Sequence, residues 1–263
     1  MTPRCALLLP LALMACSEEP KTDKSVDAEP EETGDPVDDG PADPVYPTGD
    51  RILLYYGNGG YAQVGDAGGF SDFDDHIKTT LGWNTDHRSD WTDDLSQYRM
   101  IGLLALGHDG GENLSEDQIQ ALIAANAAGT RLVFMADVDS CGSTVMADAI
   151  ARVGSSMGYT GEAPDPTYVA QSAGDDLSPN HQLTAGLSEV RFRAPCWVDA
   201  GGGSPISLAS NGNAIVGTQL LDHGGEVIVM GDFGVIDDSG NFAREDLDNK
   251  LFGENLVKVD PAL

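Results

Sequence analysis

The chain has 263 residues and a formal net charge of −29 at pH 7. A surface this acidic repels DNA, RNA and anionic lipid headgroups, so we expect no nucleic-acid partner. After the first residues, no segment is apolar for long enough to cross a membrane as a helix, which excludes a multi-spanning membrane protein.

The start of the chain has the order of a bacterial export signal. Arg4 and the amino terminus give a positive charge, and a short apolar run extends from Ala6 to Ala12. The next four residues, Leu-Met-Ala-Cys at 13–16, resemble a bacterial lipobox. The resemblance implies a signal peptide over residues 1–15 and a lipid on Cys16 that anchors the protein to a membrane. The alternative is an ordinary signal peptide that is cut near Ala15.

Residues 16–49 are predicted to form a lipidated cysteine followed by an acidic, disordered tether. This segment is rich in Glu, Asp, Pro, Gly and Thr, and its only basic residues are Lys21 and Lys24. It has too little apolar surface to form a core, and its like charges repel one another. Ser17 follows the cysteine in place of Asp, which favours the outer membrane. We therefore expect a cell-envelope protein, on the periplasmic or surface face, with its globular domain at residues 50–263.

The four cysteines have separable predicted roles. Cys5 leaves with the signal peptide and Cys16 carries the lipid, so Cys141 and Cys196 remain in a compartment that permits oxidation. We predict a disulfide between these two. There is no Cys-x-x-Cys pair, so a cysteine-rich zinc site is not indicated.

From residue 51 onward, predicted strands alternate with predicted helices. Continuous apolar runs indicate buried strands, and apolar residues spaced three and four apart indicate helices. A capping box formed by Ser115 and Gln118 marks the start of one helix, and Gly129 marks its end. The other predicted elements are strands at 52–56, 83–85, 100–106 and 132–136, and helices at 72–81 and 143–157.

The last third of the domain is richer in strands. They are predicted at 190–193, 206–209, 214–221 and 226–230, with turns at 211–212 and 223–225 and a final helix at 244–257. The alternation predicts a parallel sheet with helices on both faces. The fold class is therefore α/β, a three-layer sandwich with a mostly parallel sheet and an antiparallel C-terminal extension.

This layout resembles the class I glutamine amidotransferase-like superfamily, which has a flavodoxin-like sandwich. Three segments carry the resemblance: the opening strand RILLYYG at 51–57, the segment NHQLTAGL at 180–187, and EVIVMGDF at 226–233. Asp248, Asn249 and Asn255 follow in the final helix region. The enzymes of that superfamily carry a nucleophilic cysteine in a tight glycine-flanked turn after the strand that matches 132–136.

The catalytic residues of that superfamily are missing here. The strand at 132–136 runs into Asp-Val-Asp-Ser, and Cys141 comes later without flanking glycines. The His and Glu that follow the last strand in the enzymes are replaced by Gly231, Asp232 and Phe233. The resemblance therefore implies a branch without amidotransferase activity.

A glycine-rich stretch at 57–62 matches Gly-x-Gly-x-x-Ala, which is typical of dinucleotide-binding loops. The chain continues into further glycines instead of a helix, so no helix N-terminus faces a pyrophosphate. We interpret the stretch as a loop and expect no nucleotide cofactor.

Polar residues cluster where the predicted parallel strands end, and ligands of open α/β sheets bind at this edge. These residues are Asn58, His108, Asp109, Asp137, Asp139 and Asp232. Converging carboxylates bind hard cations, so calcium is the one cofactor that the sequence suggests. The same residues also serve as helix caps, turn residues or solvated side chains.

The leading functional hypothesis is a membrane-anchored lipoprotein whose α/β domain binds or scaffolds an unidentified protein or small molecule without catalysing a reaction. The alternative is an extracytoplasmic hydrolase that uses the acidic edge, with or without a metal. The two differ in whether Asp137, Asp139, Asp232 and His108 share one concave pocket.

Overall fold

The computed structural model describes residues 47–60, 69–163, 167–208, 212–238, 242 and 248–258. The predicted signal peptide, Cys16 and most of the predicted tether lie outside these ranges, as do Tyr61 and Ala62. In chain order the elements are β1 (Arg51–Tyr55), α1 (Ser71–Leu81), β2 (Asn84–Arg88), β3 (Tyr98–Leu104), α2 (Glu116–Ala127), β4 (Arg131–Met135), α3 (Thr144–Arg152), β5 (Gly158–Glu162), β6 (Thr167–Gln171), β7 (Glu189–Arg193), β8 (Cys196–Asp199), β9 (Ser204–Leu208), β10 (Ala214–Leu220), β11 (Glu226–Met230) and α4 (Asn249–Val257).

The described strands form one large mixed sheet and one small sheet. Nine strands in the described ranges belong to the large sheet, in the order β2-β1-β3-β4-β11-β10-β8-β5, with β9 also paired to β10. The first five of these run parallel to one another, whereas β10, β9, β8 and β5 form antiparallel pairs. β6 and β7 pair antiparallel as a separate sheet. The α/β class and the antiparallel extension are thus confirmed.

Helices cover both faces of the large sheet. On one face, Phe73 and Ile77 of α1 and Phe252 of α4 join a core with Ile52 and Leu54 of β1. On the other face, residues of α2 and α3 pack with Leu53 and Tyr55 of the same strand. The alternation along β1 follows from the two-residue period of a strand. β4 lies in the middle and is buried along its whole length, which explains its continuous apolar run.

A glycine ends each of the helices α2 and α3, and the sequence predicts this for α2. After α2, Gly129 has φ of 100° and donates to Asn126, while Thr130 donates to Ala125. After α3, Gly154 has φ of 98° with the same pair of bonds, from Gly154 to Ala151 and from Ser155 to Ile150. Both are Schellman motifs. The capping box of Ser115 and Gln118 is present at the start of α2.

Several element boundaries differ from the prediction. The helix expected over 143–157 ends at Arg152, because Gly154 turns the chain and the following residues lead into β5. Strands β5, β6 and β8 are not among the predicted elements. The final helix is described from Asn249 instead of residue 244, and residues 243–247 lie outside the described ranges.

The chain enters and leaves the domain at the N-terminal edge of the parallel strands. The guanidinium of Arg99 donates to the Gly49 carbonyl oxygen from Nη1 and to the Val257 carbonyl oxygen from Nε, both at 3.0 Å. The same guanidinium stacks 3.6 Å from the centre of the Trp83 ring. Among the described helices, none is long and apolar enough to cross a membrane.

Candidate functional site

The predicted polar residues follow neighbouring strands at the carboxyl edge of the sheet. His108 and Asp109 come after β3, Asp137 and Asp139 after β4, and Asp232 after β11. These three strands are adjacent in the sheet. These residues therefore follow strands that end at one edge of the sheet.

Asp137 and Asp139 shape the turn that leaves β4. The Asp137 carboxylate accepts from the Val138 N–H at 2.8 Å, and its own N–H donates to Ser140 Oγ at 2.8 Å, which caps a short 3-10 turn at Val138–Ser140. Burial raises the pKa of the Asp137 carboxyl group; the charge of Asp139 adds to the rise, while the Val138 bond, His108 and Arg193 oppose it. Asp139 is exposed.

Asp232 lies fully inside the protein, with an exposed fraction of 1%. One carboxylate oxygen accepts from the Gly234 N–H at 2.7 Å, and the other accepts from the Arg193 N–H. Burial raises the pKa of this carboxyl group to about 7; the two backbone bonds oppose the rise, and the nearby charges of Asp137 and Asp237 add to it. This buried acceptor connects two backbone segments and does not face solvent.

Asn58 belongs to a packed loop and not to an open crevice. Its side chain accepts from the Tyr55 hydroxyl at 2.6 Å and donates to the Glu112 carbonyl oxygen at 3.0 Å. A Cβ on Gly59 would lie 1.2 Å from the Gly110 carbonyl oxygen, so the two loops at this edge touch backbone to backbone. The glycines after β1 therefore allow loop packing, which gives a physical account of the dinucleotide-like pattern.

His108 and Asp109 lie further out on the second of these loops. Nε2 of His108 is 3.7 Å from a carboxylate oxygen of Asp109, whose side chain is 64% exposed. Within the described parts of the chain, no group of three or more His, Cys, Asp or Glu side chains is arranged to hold a metal ion. The predicted edge residues thus share a side of the sheet without forming a cation-binding set there.

The predicted disulfide is present between Cys141 and Cys196, with a Cα–Cα distance of 5.3 Å. It joins the segment after β4 to the first residue of β8. The sulfur atoms of Cys196 and Cys141 lie 3.3 and 3.7 Å from the Asp137 carbonyl oxygen. The bond therefore runs alongside the acidic edge, just after the end of β4.

Tyr159 of β5 is a half-buried polar residue of this region that no sequence pattern indicates. Its hydroxyl lies 3.0 Å from the Phe134 carbonyl oxygen and 3.1 Å from that of Met230, so it donates to the ends of two parallel strands. Burial raises its pKa. The surrounding sequence, Gly-Tyr-Thr-Gly-Glu, carries no apolar alternation that would place it in a strand.

Residues 180–187, one of the three segments compared with the amidotransferase-like pattern in the sequence, lie at the opposite edge. His181 Nδ1 accepts from the Leu183 N–H at 3.1 Å, so the ring proton is on Nε2, which is 3.2 Å from Glu226 Oε1. Gln182 donates to the Lys258 carbonyl oxygen at 2.6 Å. These contacts fasten the end of α4 and give the segment a structural role.

A separate open groove of about 570 Å³ lies at the start of α2. The ring of Trp91 borders it and packs edge-on against Tyr55, with ring centres 5.2 Å apart. Its lining comprises Trp91, Asp93, Ser115, Asp117, Gln118 and Ala121. No local sequence pattern indicates this groove, because its residues come from the loop after β2 and from the start of α2.

Comparison with known proteins gives a likeness of fold. No family model and no curated protein matches the chain. The mmIFT52 N-terminal domain superposes with a TM-score of 0.58 at 11% identity, over 81% of this chain and 100% of that one. The cytoplasmic protein STM3548 from Salmonella typhimurium gives 0.54 at 12% identity, over 79% and 97% of the two chains.

A third solved structure is larger than this chain. The exo-beta-1,4-mannosidase Op5Man5 from Opitutaceae bacterium strain TAV5 has a TM-score of 0.50 at 10% identity, and the match covers 82% of this chain and 37% of the mannosidase. At identities this low, the likeness concerns the fold alone.

Proposed function

We propose that this protein is an exported lipoprotein, anchored through Cys16, whose α/β domain binds or scaffolds a partner without catalysing a reaction. The disulfide between Cys141 and Cys196 carries the proposal. Disulfides persist mainly in oxidising compartments outside the cytoplasm. The same bond occupies both cysteines of the described domain, so neither offers a thiolate nucleophile.

The strand order supports the proposed relation to the amidotransferase-like sandwich. The parallel strands run β2-β1-β3-β4-β11, which corresponds to the flavodoxin-like order 2-1-3-4-5. In the similar enzymes the nucleophile follows the strand that corresponds to β4. Here β4 is followed by the Asp137 cap and a 3-10 turn. A non-catalytic branch of that superfamily fits both features.

The contacts at the carboxyl edge favour this role over a hydrolase. Asp232 already accepts from two backbone N–H groups, and Asn58 is committed to Tyr55 and Glu112. Side chains that serve the fold in this way have little capacity left for a substrate. The groove beside Trp91 is more open and offers a surface for binding.

Lipid attachment is tested in the full chain, expressed in a bacterium that processes lipoproteins. We expect the mature N-terminal peptide to begin at Cys16 with a diacylglycerol mass, and the protein to enter the detergent phase on phase partition. Cys16→Ala should move the protein to the aqueous phase. Cys5→Ala is the matched control, because Cys5 lies in the predicted signal peptide and its loss should leave lipidation unchanged.

Membrane separation on a density gradient then tests the outer-membrane assignment that Ser17 suggests. Detergent-phase partition of the Cys16→Ala variant, with no lipid on the wild-type peptide, would contradict the anchor. A non-reducing peptide map with Cys141 and Cys196 both free in the exported protein would remove the observation on which the proposal rests.

A further inference from the structure

A short segment joins the two sheets of the domain. Residues 193–196, which we call the sheet joint, connect β7 of the small sheet to β8 of the large sheet. Ala194 has φ of 48°, a conformation that L-residues adopt only when their surroundings hold them there. The Cys196 N–H donates to the Gly231 carbonyl oxygen at 2.7 Å, and the Ala163 N–H donates to that of Pro195 at 2.9 Å. The joint is therefore held from several sides.

Asp232 is the side chain that fastens the start of the joint. It accepts from the Arg193 N–H, and through its other oxygen from the Gly234 N–H, so it connects the joint to the turn after β11. The charges of Asp137 after β4 and of Asp237 after the Phe233–Val235 turn act on Asp232 and raise its pKa. The charges of Arg193 and His108 act on Asp137.

Burial destabilises the charged form of the Asp232 side chain. A carboxylate that is removed from water loses its hydration, and two further carboxylates add repulsion. Two backbone N–H bonds compensate in part, because hydrogen bonds to an ionised acceptor are strong. Opening of the joint would admit water to the carboxylate and remove most of this destabilisation of its charged form.

We propose that Asp232 makes the sheet joint proton-sensitive: the closed joint retains a proton on this buried carboxyl group, and release of the proton favours an open, hydrated joint.

The direction of the pH effect follows from linkage. The pKa of Asp232 is about 7 in the closed joint, against an ordinary value of 3.8 that an open joint would restore. The closed joint is therefore most stable at a pH below the ordinary pKa of the carboxyl group. Its stability declines as the pH rises above that and through the raised pKa of Asp232. The opening constant should rise by up to about tenfold per pH unit between roughly pH 4 and pH 7, and level off above that.

Hydrogen exchange on the oxidised protein measures this opening. After correction for intrinsic exchange rates, we expect the opening constants at Arg193, Cys196 and Gly234 to rise between pH 5 and pH 7. Asp232→Asn, which is neutral at every pH, should remove this dependence. Asp93→Asn is the matched control, because Asp93 is exposed and its substitution should leave the dependence unchanged.

A direct titration covers the case in which Asp232→Asn does not fold. Carbon-detected NMR of the wild-type carboxyl groups should show Asp232 titrating near neutral pH. Asp137→Asn keeps an oxygen for the Val138 cap and removes a like charge, so it should lower the midpoint for Asp232. A wild-type midpoint near 4, or opening constants that are independent of pH from 5 to 7, would overturn the proposal.

Discussion

At the scale of single residues, Arg131 is a buried side chain that makes several hydrogen bonds at the N-terminal edge of the parallel strands. It is 1% exposed and donates to the carbonyl oxygens of Asn255 and Leu256 at 3.0 and 2.7 Å. Its charge is matched by Glu226, 2.7 Å away, whose side chain is 20% exposed. One guanidinium thus caps the end of α4 and pairs with the first residue of β11.

Glu226→Gln should destabilise the domain by about 3 kcal/mol, because it leaves the buried Arg131 charge without its partner. Chemical denaturation at neutral pH measures this loss. Glu116→Gln is the control: Glu116 pairs with Arg152 at the surface, where its side chain is 70% exposed, and we expect little change there. Equal losses in the two variants would contradict the special role of the buried pair.

The same pair makes stability depend on pH in the acid range. Burial alone would raise the pKa of Glu226, but Arg131 and His181 outweigh it and lower the pKa to about 2, from an ordinary value of 4.5. The pair's contribution to the free energy of unfolding is present above the ordinary pKa of Glu226 and is lost as the pH falls through its lowered pKa. Unfolding curves from pH 5 to pH 2.5 should therefore show a smaller decline in Glu226→Gln than in the wild type.

The sequence predicts the positions of polar residues better than their roles. Asp232 was expected at the strand end, because strand ends follow from apolar runs. Its backbone partner Arg193 lies 39 residues away in sequence, and no local pattern indicates such a contact. Arg131 precedes an apolar run and looks like an ordinary boundary residue. The disulfide was predictable because the predicted export signal accounts for Cys5 and Cys16, which leaves Cys141 and Cys196 to pair.

At the scale of elements, local signals explain which parts of the fold were predictable. Buried parallel strands and the capping box at Ser115 carry their information in adjacent residues. β8 has only four residues and follows Pro195, and β5 contains two glycines, so neither has a strand pattern. Both strands are held in place by tertiary contacts, β8 by the disulfide and β5 by the Tyr159 hydroxyl.

Gly154→Ala isolates the contribution of the glycine that ends α3. Its φ is 98°, and an added Cβ would meet only Leu221, at 3.9 Å. The expected loss of about 1 to 2 kcal/mol therefore reflects backbone conformation and not a clash. Gly142→Ala is a matched control, since a Cβ there meets nothing within 4 Å and its φ is not in the left-handed region. Thermal denaturation of both variants should separate them, and a silent Gly154→Ala would contradict this account.

At the scale of the whole molecule, the disulfide limits the freedom of the unfolded chain. Its cysteines are 55 residues apart, and this loop contains α3, the small sheet and the sheet joint. Replacement of both cysteines by alanine should cost about 4 kcal/mol at most, measured by urea denaturation. Reductant should destabilise the wild type by a similar amount and leave the double variant unchanged. A reductant effect that persists in the double variant would show that the loss has another source.

The contacts of Arg99 bring the two ends of the folded domain to one side chain. Because the Gly49 and Val257 carbonyl oxygens bind the same guanidinium, a few residues suffice to connect the ends covalently. The chain order could then be rearranged without moving any strand of the sheet.

A circular permutant tests this consequence. It starts at Asp94, passes from Lys258 through a short glycine-serine linker to Gly49, and ends at Asp93. It should fold, since Asp93 and Asp94 are exposed. Its circular dichroism spectrum should match that of the domain in its natural order, and Arg99→Ala should destabilise that natural-order domain more than the permutant, in which the linker replaces the lost tie.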